Sequence, residues 1–152
     1  MTIYFLRHGH ADWPHWEGSD DERPLTTEGK KEMRQVGDLL AKLGLKPGAI
    51  LSSPLPRALQ TAEIAAESLE MKVVVEESLA PGFNAAKLRE LLKKHDEKKV
   101  MVVGHEPDFS SAILALTGGV VKMSKAGLAR VDLEDGANGF LVWLFSPKFA
   151  KL

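Results

Sequence analysis

An arginine and a histidine stand side by side at the end of a short apolar run near the start of the chain. The run Ile3–Leu6 consists of strand-forming residues and is typical of a buried parallel strand. Arg7, His8 and Gly9 follow it directly. In open α/β sheets, ligands bind at the carboxyl ends of the strands. A fixed guanidinium fork beside a neutral imidazole nitrogen is suited to nucleophilic attack on a phosphorus centre.

Two later segments place similar side chains after predicted strands. Arg57 follows Ser52–Pro54 in the first turn of a predicted helix, and His105 lies within Gly104–Pro107. If the strands are parallel, their carboxyl ends open on one rim of the sheet. A cation in the first helical turn opposes the helix dipole, and that cost is understandable if an anion binds there. The spacing therefore predicts an anion site built from separate parts of the chain.

These residue types lead to a specific hypothesis for catalysis. Neutral imidazole has an ordinary pKa of about 6.5, and nearby arginines disfavour its protonation. We expect His8 to attack phosphorus and form a phosphohistidine, which water then hydrolyses. Arg7, Arg57 and His105 would hold the phosphoryl oxygens and neutralise the charge spread over them.

Each of these residues also has a simpler interpretation. A single histidine at a strand end is often only structural, and a single first-turn arginine is usually solvated. His8, His10 and Asp12 resemble a zinc ligand set, although two nearby arginines would repel a dication. We expect no metal. The loop tryptophans Trp13 and Trp16 are interpreted as anchors that pack on the domain, in preference to an exposed docking surface.

Strand and helix patterns alternate along the chain, which predicts the elements that position these side chains. The predicted strands are Ile3–Leu6, Ala49–Leu51, Lys72–Val75, Val100–Val103, Leu128–Leu133 and Phe140–Phe145, the last two forming a hairpin around Asp135-Gly136 and Asn138-Gly139. The predicted helices run from Thr26 or Thr27 to about Leu43, from a Ser53 cap to Leu69, from an Asn84 cap to Lys94, and from about Pro107 to Leu116. This order predicts an α/β protein, a three-layer α/β/α sandwich with a mostly parallel sheet of about six strands.

Composition narrows the class of protein. The 152 residues are 44% hydrophobic and 27% charged, with a formal net charge of -1, and predict one globular domain over residues 1–152. The balanced charge gives no sign of a nucleic-acid surface. The absence of cysteine excludes thiol chemistry. No apolar run is long enough to span a membrane, and Met1–Leu6 is too short for a signal-peptide core, so we expect a cytoplasmic protein with no membrane partner.

Four sequence blocks together resemble a known family. LRHGHAD, RPLTTEG, SSPLPRALQTAE and VGHEP, which span residues 6–107, resemble in order the signature blocks of the histidine phosphatase superfamily, the phosphoglycerate-mutase-like clan. The resemblance implies a metal-independent phosphatase without a cofactor, with His8 as the phosphate acceptor, Arg7 and Arg57 as phosphate ligands and His105 as the second pocket histidine. The short length, Ala11 and the VGHEP block resemble the small SixA-type branch, which implies a phosphohistidine substrate on a signalling or phosphotransfer protein.

One position of the family pattern differs in this chain. Larger members carry a carboxylic general acid after the third strand, and no residue here matches it clearly. Glu77, Glu106 and Asp12 are the candidates for proton donor. Alternatively, the substrate needs little acid assistance, which favours a labile phosphoramidate. Gly9 and Arg23 are expected to contact the substrate.

Two other functions remain open at this stage. A small-molecule phosphomonoester phosphatase or mutase would use the same rim, but a mutase must shield its phosphoenzyme from water and little chain remains for a lid. A module that only recognises phosphorylated partners would keep the arginines, yet it could dispense with both histidines.

Overall fold

The computed structural model describes residues 1–134 and 138–152 and contains one six-stranded sheet. Its strands are β1 (Thr2–Arg7), β2 (Ala49–Ser52), β3 (Val73–Val75), β4 (Lys99–Gly104), β5 (Leu128–Glu134) and β6 (Asn138–Phe145). Its α-helices are α1 (Thr27–Lys42), α2 (Pro56–Ser68), α3 (Ala85–His95) and α4 (Asp108–Thr117). Short 3-10 helices cover Asp20–Glu22, Glu77–Leu79 and Pro147–Lys151.

The strand order brings three strand ends of the predicted site to one rim. The sheet runs β3-β2-β4-β1-β5-β6, and β1, β2, β3 and β4 are mutually parallel. Strand β5 pairs antiparallel with β1 and with β6. Arg7 is in register with Gly104, and Ser52 is in register with Val103. The chain segments after β1, β2 and β4 therefore start side by side.

Helices cover both faces of the sheet, so the predicted three-layer fold is confirmed. One face packs against α3 and α4 around Phe5, Leu88 and Phe109, all fully buried. The other face packs against α1 and α2 around Met33 and Ala62. Strand β1 is buried on both faces, as its continuous apolar run predicts.

Local sequence signals account for most helix ends. The hydroxyl group of Thr26 accepts a hydrogen bond from Gly29 N and caps α1, while the side chain of Asn84 caps α3. The prediction that Ser53 caps α2 is wrong, because Leu55 occupies the cap position and α2 begins at Pro56. The predicted turn residues Asp135 and Gly136 lie outside the described residues, and Asn138 and Gly139 belong to β6 itself.

No helix among residues 1–134 and 138–152 is both long and apolar enough to cross a membrane.

Candidate active site

His8 follows β1 directly and is 8% exposed. Its ring nitrogen Nδ1 lies 2.8 Å from the carbonyl oxygen of Gly9. A carbonyl oxygen can only accept a hydrogen bond, so Nδ1 carries the proton. In the neutral ring the lone pair then resides on Nε2, which is the nitrogen able to act as a nucleophile.

His105 follows β4, and its ring centroid lies 5.4 Å from that of His8. Its Nε2 lies 2.8 Å from the hydroxyl oxygen of Ser53, and that oxygen accepts a hydrogen bond from Leu55 N. The other ring nitrogen, Nδ1, is buried and has no hydrogen-bond partner among the described residues. The sheet thus brings together two imidazoles that lie 97 positions apart in the sequence.

The guanidinium groups of Arg7 and Arg57 are held by backbone carbonyls. Arg7 Nη1 donates to Met123 O at 2.9 Å, and Arg57 Nη1 donates to Asp20 O at 2.9 Å. The Nε atoms of both arginines are buried and lack partners among the described residues. Buried donors are normally satisfied, so these atoms are well placed to donate to the oxygens of a bound oxyanion.

Burial keeps both histidines neutral. Burial is the largest cause, and with the smaller effect of the positive charges of Arg7 and Arg57 it lowers the pKa of His8 to about 3 and that of His105 to about 4. The hydrogen bond to Gly9 favours protonated His8 but does not offset these effects. At neutral pH the rim therefore presents an unprotonated nitrogen beside two cations.

The loop after β1 is fixed against α1 and α2. Gly9 N donates to the hydroxyl group of Thr61, which in turn donates to Arg57 O. A Cβ atom at residue 29 would lie 2.2 Å from His10 O, so only glycine permits this approach of α1 to the loop. These contacts determine where His8 stands relative to Arg57.

Arg23 lies close to the rim without occupying it. It forms an ion pair with Asp20 at 3.1 Å, and the carboxylate of Asp20 also lies 3.7 Å from Arg57 Nη2. The positive charge of Arg23 contributes to lowering the pKa of Arg57, after the larger effect of burial. Gly9 and Arg23 thus both adjoin the rim, and their contact with the substrate stays a prediction.

Two of the three carboxylates considered as proton donors are held by other groups, and the third is exposed. A hydrogen bond from Lys125 lowers the pKa of Asp12, which also pairs with Arg23. The carboxylate of Glu106 accepts a hydrogen bond from Ser110 N at 2.7 Å in the first turn of α4. Glu77 is exposed on a 3-10 helix after β3.

The neighbouring Glu76 is buried but has other partners. Its carboxylate lies 2.7 Å from His95 Nε2 and 2.9 Å from Lys94 Nζ. Burial raises its pKa, but the hydrogen bonds from Lys94 and His95 outweigh that effect and lower it overall. Glu76 is therefore ionised at neutral pH and holds the end of α3.

No group of three or more His, Asp or Glu side chains within the described ranges is arranged to hold a metal ion. His8 and His10 have separate partners, since His10 Nδ1 lies 2.8 Å from the hydroxyl oxygen of Thr26. The zinc-like spacing of His8, His10 and Asp12 in the sequence thus does not produce a cluster.

Several residues that shape the rim were not identified from the sequence. The sequence indicates no role for Asp20 and predicts only a helix cap at Ser53, yet Asp20 contacts Arg57 and Ser53 contacts His105. Thr61 and the carbonyl of Met123 hold Gly9 and Arg7. These contacts join positions 37 to 116 residues apart, and no local sequence signal marks them.

Comparisons with known proteins agree with this geometry. A model of the histidine phosphatase superfamily (branch 1) matches residues 3–80. An uncharacterized protein of Picosynechococcus sp. is 37% identical over 98% of both chains. Phosphohistidine phosphatase SixA of Escherichia coli is 30% identical over 97% of this chain and 94% of its own length. A solved structure of protein histidine phosphatase SixA complexed with tungstate matches with a TM-score of 0.86 and 29% identity, covering 98% of this chain and 99% of that one.

Proposed function

Because this chain belongs to the histidine phosphatase superfamily, branch 1, and is a hydrolase of that family, we propose that it removes the phosphoryl group from phosphohistidine in a protein substrate. The reaction passes through a phosphohistidine on His8. The observation that carries the proposal is the arrangement of His8, whose Nδ1 is bound to Gly9 O while Nε2 is left available.

In the first step, His8 Nε2 forms a bond to phosphorus as the bond to the substrate nitrogen breaks. The electron pair of that bond returns to the substrate nitrogen, and the ring leaves as neutral imidazole because its second nitrogen already carries a proton from solvent. Nδ1 of His8 keeps its own proton. Arg7, Arg57 and Nδ1–H of His105 are placed to donate to the phosphoryl oxygens, whose charge they neutralise. Nδ1 of His105 carries a proton when the hydroxyl group of Ser53 donates to Nε2.

In the second step, water attacks phosphorus and the bond to His8 Nε2 breaks. Its electron pair returns to Nε2, one proton of the water passes to solvent, and inorganic phosphate leaves. His8 is restored as the neutral ring, in accord with its lowered pKa.

The choice of a phosphohistidine substrate is supported by the carboxylates around the rim. Asp12 is paired with Lys125, Glu106 is engaged by α4, and Glu77 is exposed. An alkyl phosphate needs a proton from the enzyme on its leaving oxygen. A phosphohistidine ring instead takes a proton from solvent on its second nitrogen and then leaves as neutral imidazole, whose conjugate acid has an ordinary pKa of about 6.5. The likeness to phosphohistidine phosphatase SixA supports the same substrate class.

Trapping of the phosphoenzyme tests the proposal. The protein is mixed with a 32P-labelled phosphohistidine protein, quenched within milliseconds and separated under alkaline conditions. We expect transient label on the wild type that alkali preserves and acid removes. The His8→Ala variant should carry none, and His95→Ala, which alters a histidine bound to Glu76, should carry label like the wild type.

Two results would contradict the proposal. One is acid-stable label, or label retained in His8→Ala. The other is turnover of simple alkyl phosphates as fast as that of phosphohistidine, which would favour a phosphomonoester substrate.

A further inference from the structure

Beside the rim lies a cleft of about 510 Å³ whose walls include Asp12, Trp13, His15, Trp16, Asp20 and Arg23. Asp20 belongs both to this cleft and to the surroundings of Arg57, because its carbonyl oxygen accepts from Arg57 Nη1. The cleft therefore lies one shared residue away from the guanidinium group expected to hold the phosphoryl group.

Two indole rings form the walls, and both are held in place. Trp13 Nε1 donates to Pro24 O and Trp16 Nε1 donates to Ser19 O, each at 2.8 Å. A Cβ atom at residue 18 would lie 2.9 Å from the Trp16 ring, so Gly18 permits the ring to lie against the backbone. The expectation that these rings act as buried anchors is only partly met. They remain 39% and 38% exposed although their polar atoms are satisfied.

The charge around the rings is negative. Residues 12–24 carry five carboxylates and one guanidinium group. Asp12 and Asp20 are partly neutralised by Lys125 and Arg23. Glu17 and Glu22 are exposed and form no ion pair with another described residue. A positive phosphate site thus adjoins a rigid, acidic, aromatic cleft.

This combination selects among substrates. Lysine and arginine side chains bind to the faces of indole rings and pair with carboxylates, whereas an acidic segment would be repelled. A purely apolar segment would have to strip water from the surrounding carboxylates. The chemistry that fits the cleft is a cation next to a phosphoryl group.

We propose that this Trp13–Trp16 cleft binds lysine or arginine side chains that flank the phosphorylated histidine of a protein substrate. The inference rests on the proposed function and specifies in addition that the substrate segment around the phosphohistidine is positively charged. The cleft acts in recognition, while the chemistry remains at His8.

The test compares two synthetic peptides of equal length that each carry one chemically phosphorylated histidine. One has lysine at four flanking positions and the other has glutamine there. The kcat and KM of the full chain are measured with both peptides, at low ionic strength and in 0.5 M NaCl. We expect kcat/KM to favour the lysine peptide by about five- to tenfold, mainly through KM, and the preference to shrink in salt.

Two double variants examine the cleft itself, Trp13→Ala/Trp16→Ala and Glu17→Gln/Glu22→Gln. Each should reduce the preference for the lysine peptide. Phe140→Ala removes an aromatic ring that is 58% exposed on the edge strand β6 and should keep the full preference. Thermal melts establish that each variant is folded.

The outcomes separate this inference from the proposed function. If both peptides are hydrolysed through His8 at equal rates, or if the preference survives both double variants, the docking inference is overturned and the proposed function stands. If p-nitrophenyl phosphate is turned over but neither peptide is, both are overturned.

Discussion

The hydroxyl group of Ser53 lies 2.8 Å from Nε2 of His105, and the opposite ring nitrogen of His105 is buried without a partner in the described part of the chain. One hydrogen bond therefore sets the orientation of a ring whose free nitrogen is available to a phosphoryl oxygen. Because Ser53 also accepts from Leu55 N, its own proton can be donated to His105 Nε2. When Ser53 donates to Nε2, the proton of the neutral His105 ring lies on Nδ1, which can then donate to a phosphoryl oxygen.

Substitution of Ser53 by alanine should weaken catalysis through His105. The loss leaves Nε2 of a 4% exposed ring unpaired, and such a loss costs about 1–3 kcal/mol. We expect kcat/KM to fall by about tenfold or more, together with a lower Tm. Ser52→Ala is the matched control, because Ser52 is equally buried but donates to Ser53 O instead of a histidine. It should lower Tm with little change in kcat/KM. Equal losses of kcat/KM in both variants would contradict a role through His105.

The convergence of Arg7, His8 and Arg57 on one rim can be predicted from the sequence, but the residues that hold them there cannot. Arg7, His8 and Arg57 could be assigned to one rim because parallel strands deliver their carboxyl ends to the same edge. The prediction of Ser53 as a helix cap is wrong because a serine before proline is a common helix start, and nothing local reveals a histidine 52 positions later. An acidic residue in a polar loop is usually solvated, so the sequence gives no sign of a role for Asp20. Tertiary packing alone brings its carbonyl oxygen to Arg57.

A lysine at position 57 should not restore the activity that the planar guanidinium group of Arg57 supports. The side chain is 6% exposed, donates to Asp20 and has a buried, unpaired Nε, a geometry that an ammonium group cannot reproduce. We expect Arg57→Lys to reduce kcat/KM for p-nitrophenyl phosphate by about 10²- to 10³-fold. Arg34→Lys alters an exposed arginine on α1 and should have no effect. Near-normal activity of Arg57→Lys would show that charge alone suffices at this position.

The lowered histidine pKa values predict how activity depends on pH. With pKa values of about 3 for His8 and about 4 for His105, both rings of the free enzyme stay neutral down to about pH 5. We therefore measure kcat/KM for p-nitrophenyl phosphate and correct it for the ionisation of the substrate's own phosphate group. The corrected kcat/KM should show no loss near pH 6.5. A fall that follows one proton near pH 6.5 would mean that His8 titrates normally and that the rim does not exclude its charge.

The same shift predicts the pH dependence of stability. Between pH 6.5 and about 3 the unfolded chain binds a proton on His8 that the folded chain does not, so the free energy of unfolding falls as pH is lowered through this window. The contribution of one such histidine is about 1.4 kcal/mol per pH unit. Urea unfolding at pH 7.0, 6.0 and 5.0 should show a steeper decline for the wild type than for His8→Asn. Parallel declines would contradict the burial of a neutral ring.

The close approach of α1 to the loop after β1 makes Gly29 a further test of how the rim is assembled. A Cβ at this position would lie 2.2 Å from the backbone carbonyl of His10, which cannot move without displacing the segment that carries His8. We expect Gly29→Ala to lower the free energy of unfolding by about 1–3 kcal/mol. We also expect it to lose most of its kcat, because the segment that carries His8 is displaced. Gly37→Ala, in the same helix, meets a side chain instead of the backbone: the hydroxyl group of Ser68 at 2.4 Å, which can rotate away, and Ser68 Cβ at 3.1 Å, which must shift slightly. A gain in helix propensity of about 1 kcal/mol offsets part of this cost, so Gly37→Ala should be clearly more stable than Gly29→Ala. If Gly29→Ala were as stable and active as Gly37→Ala, the packing of α1 on the loop would not be what positions His8.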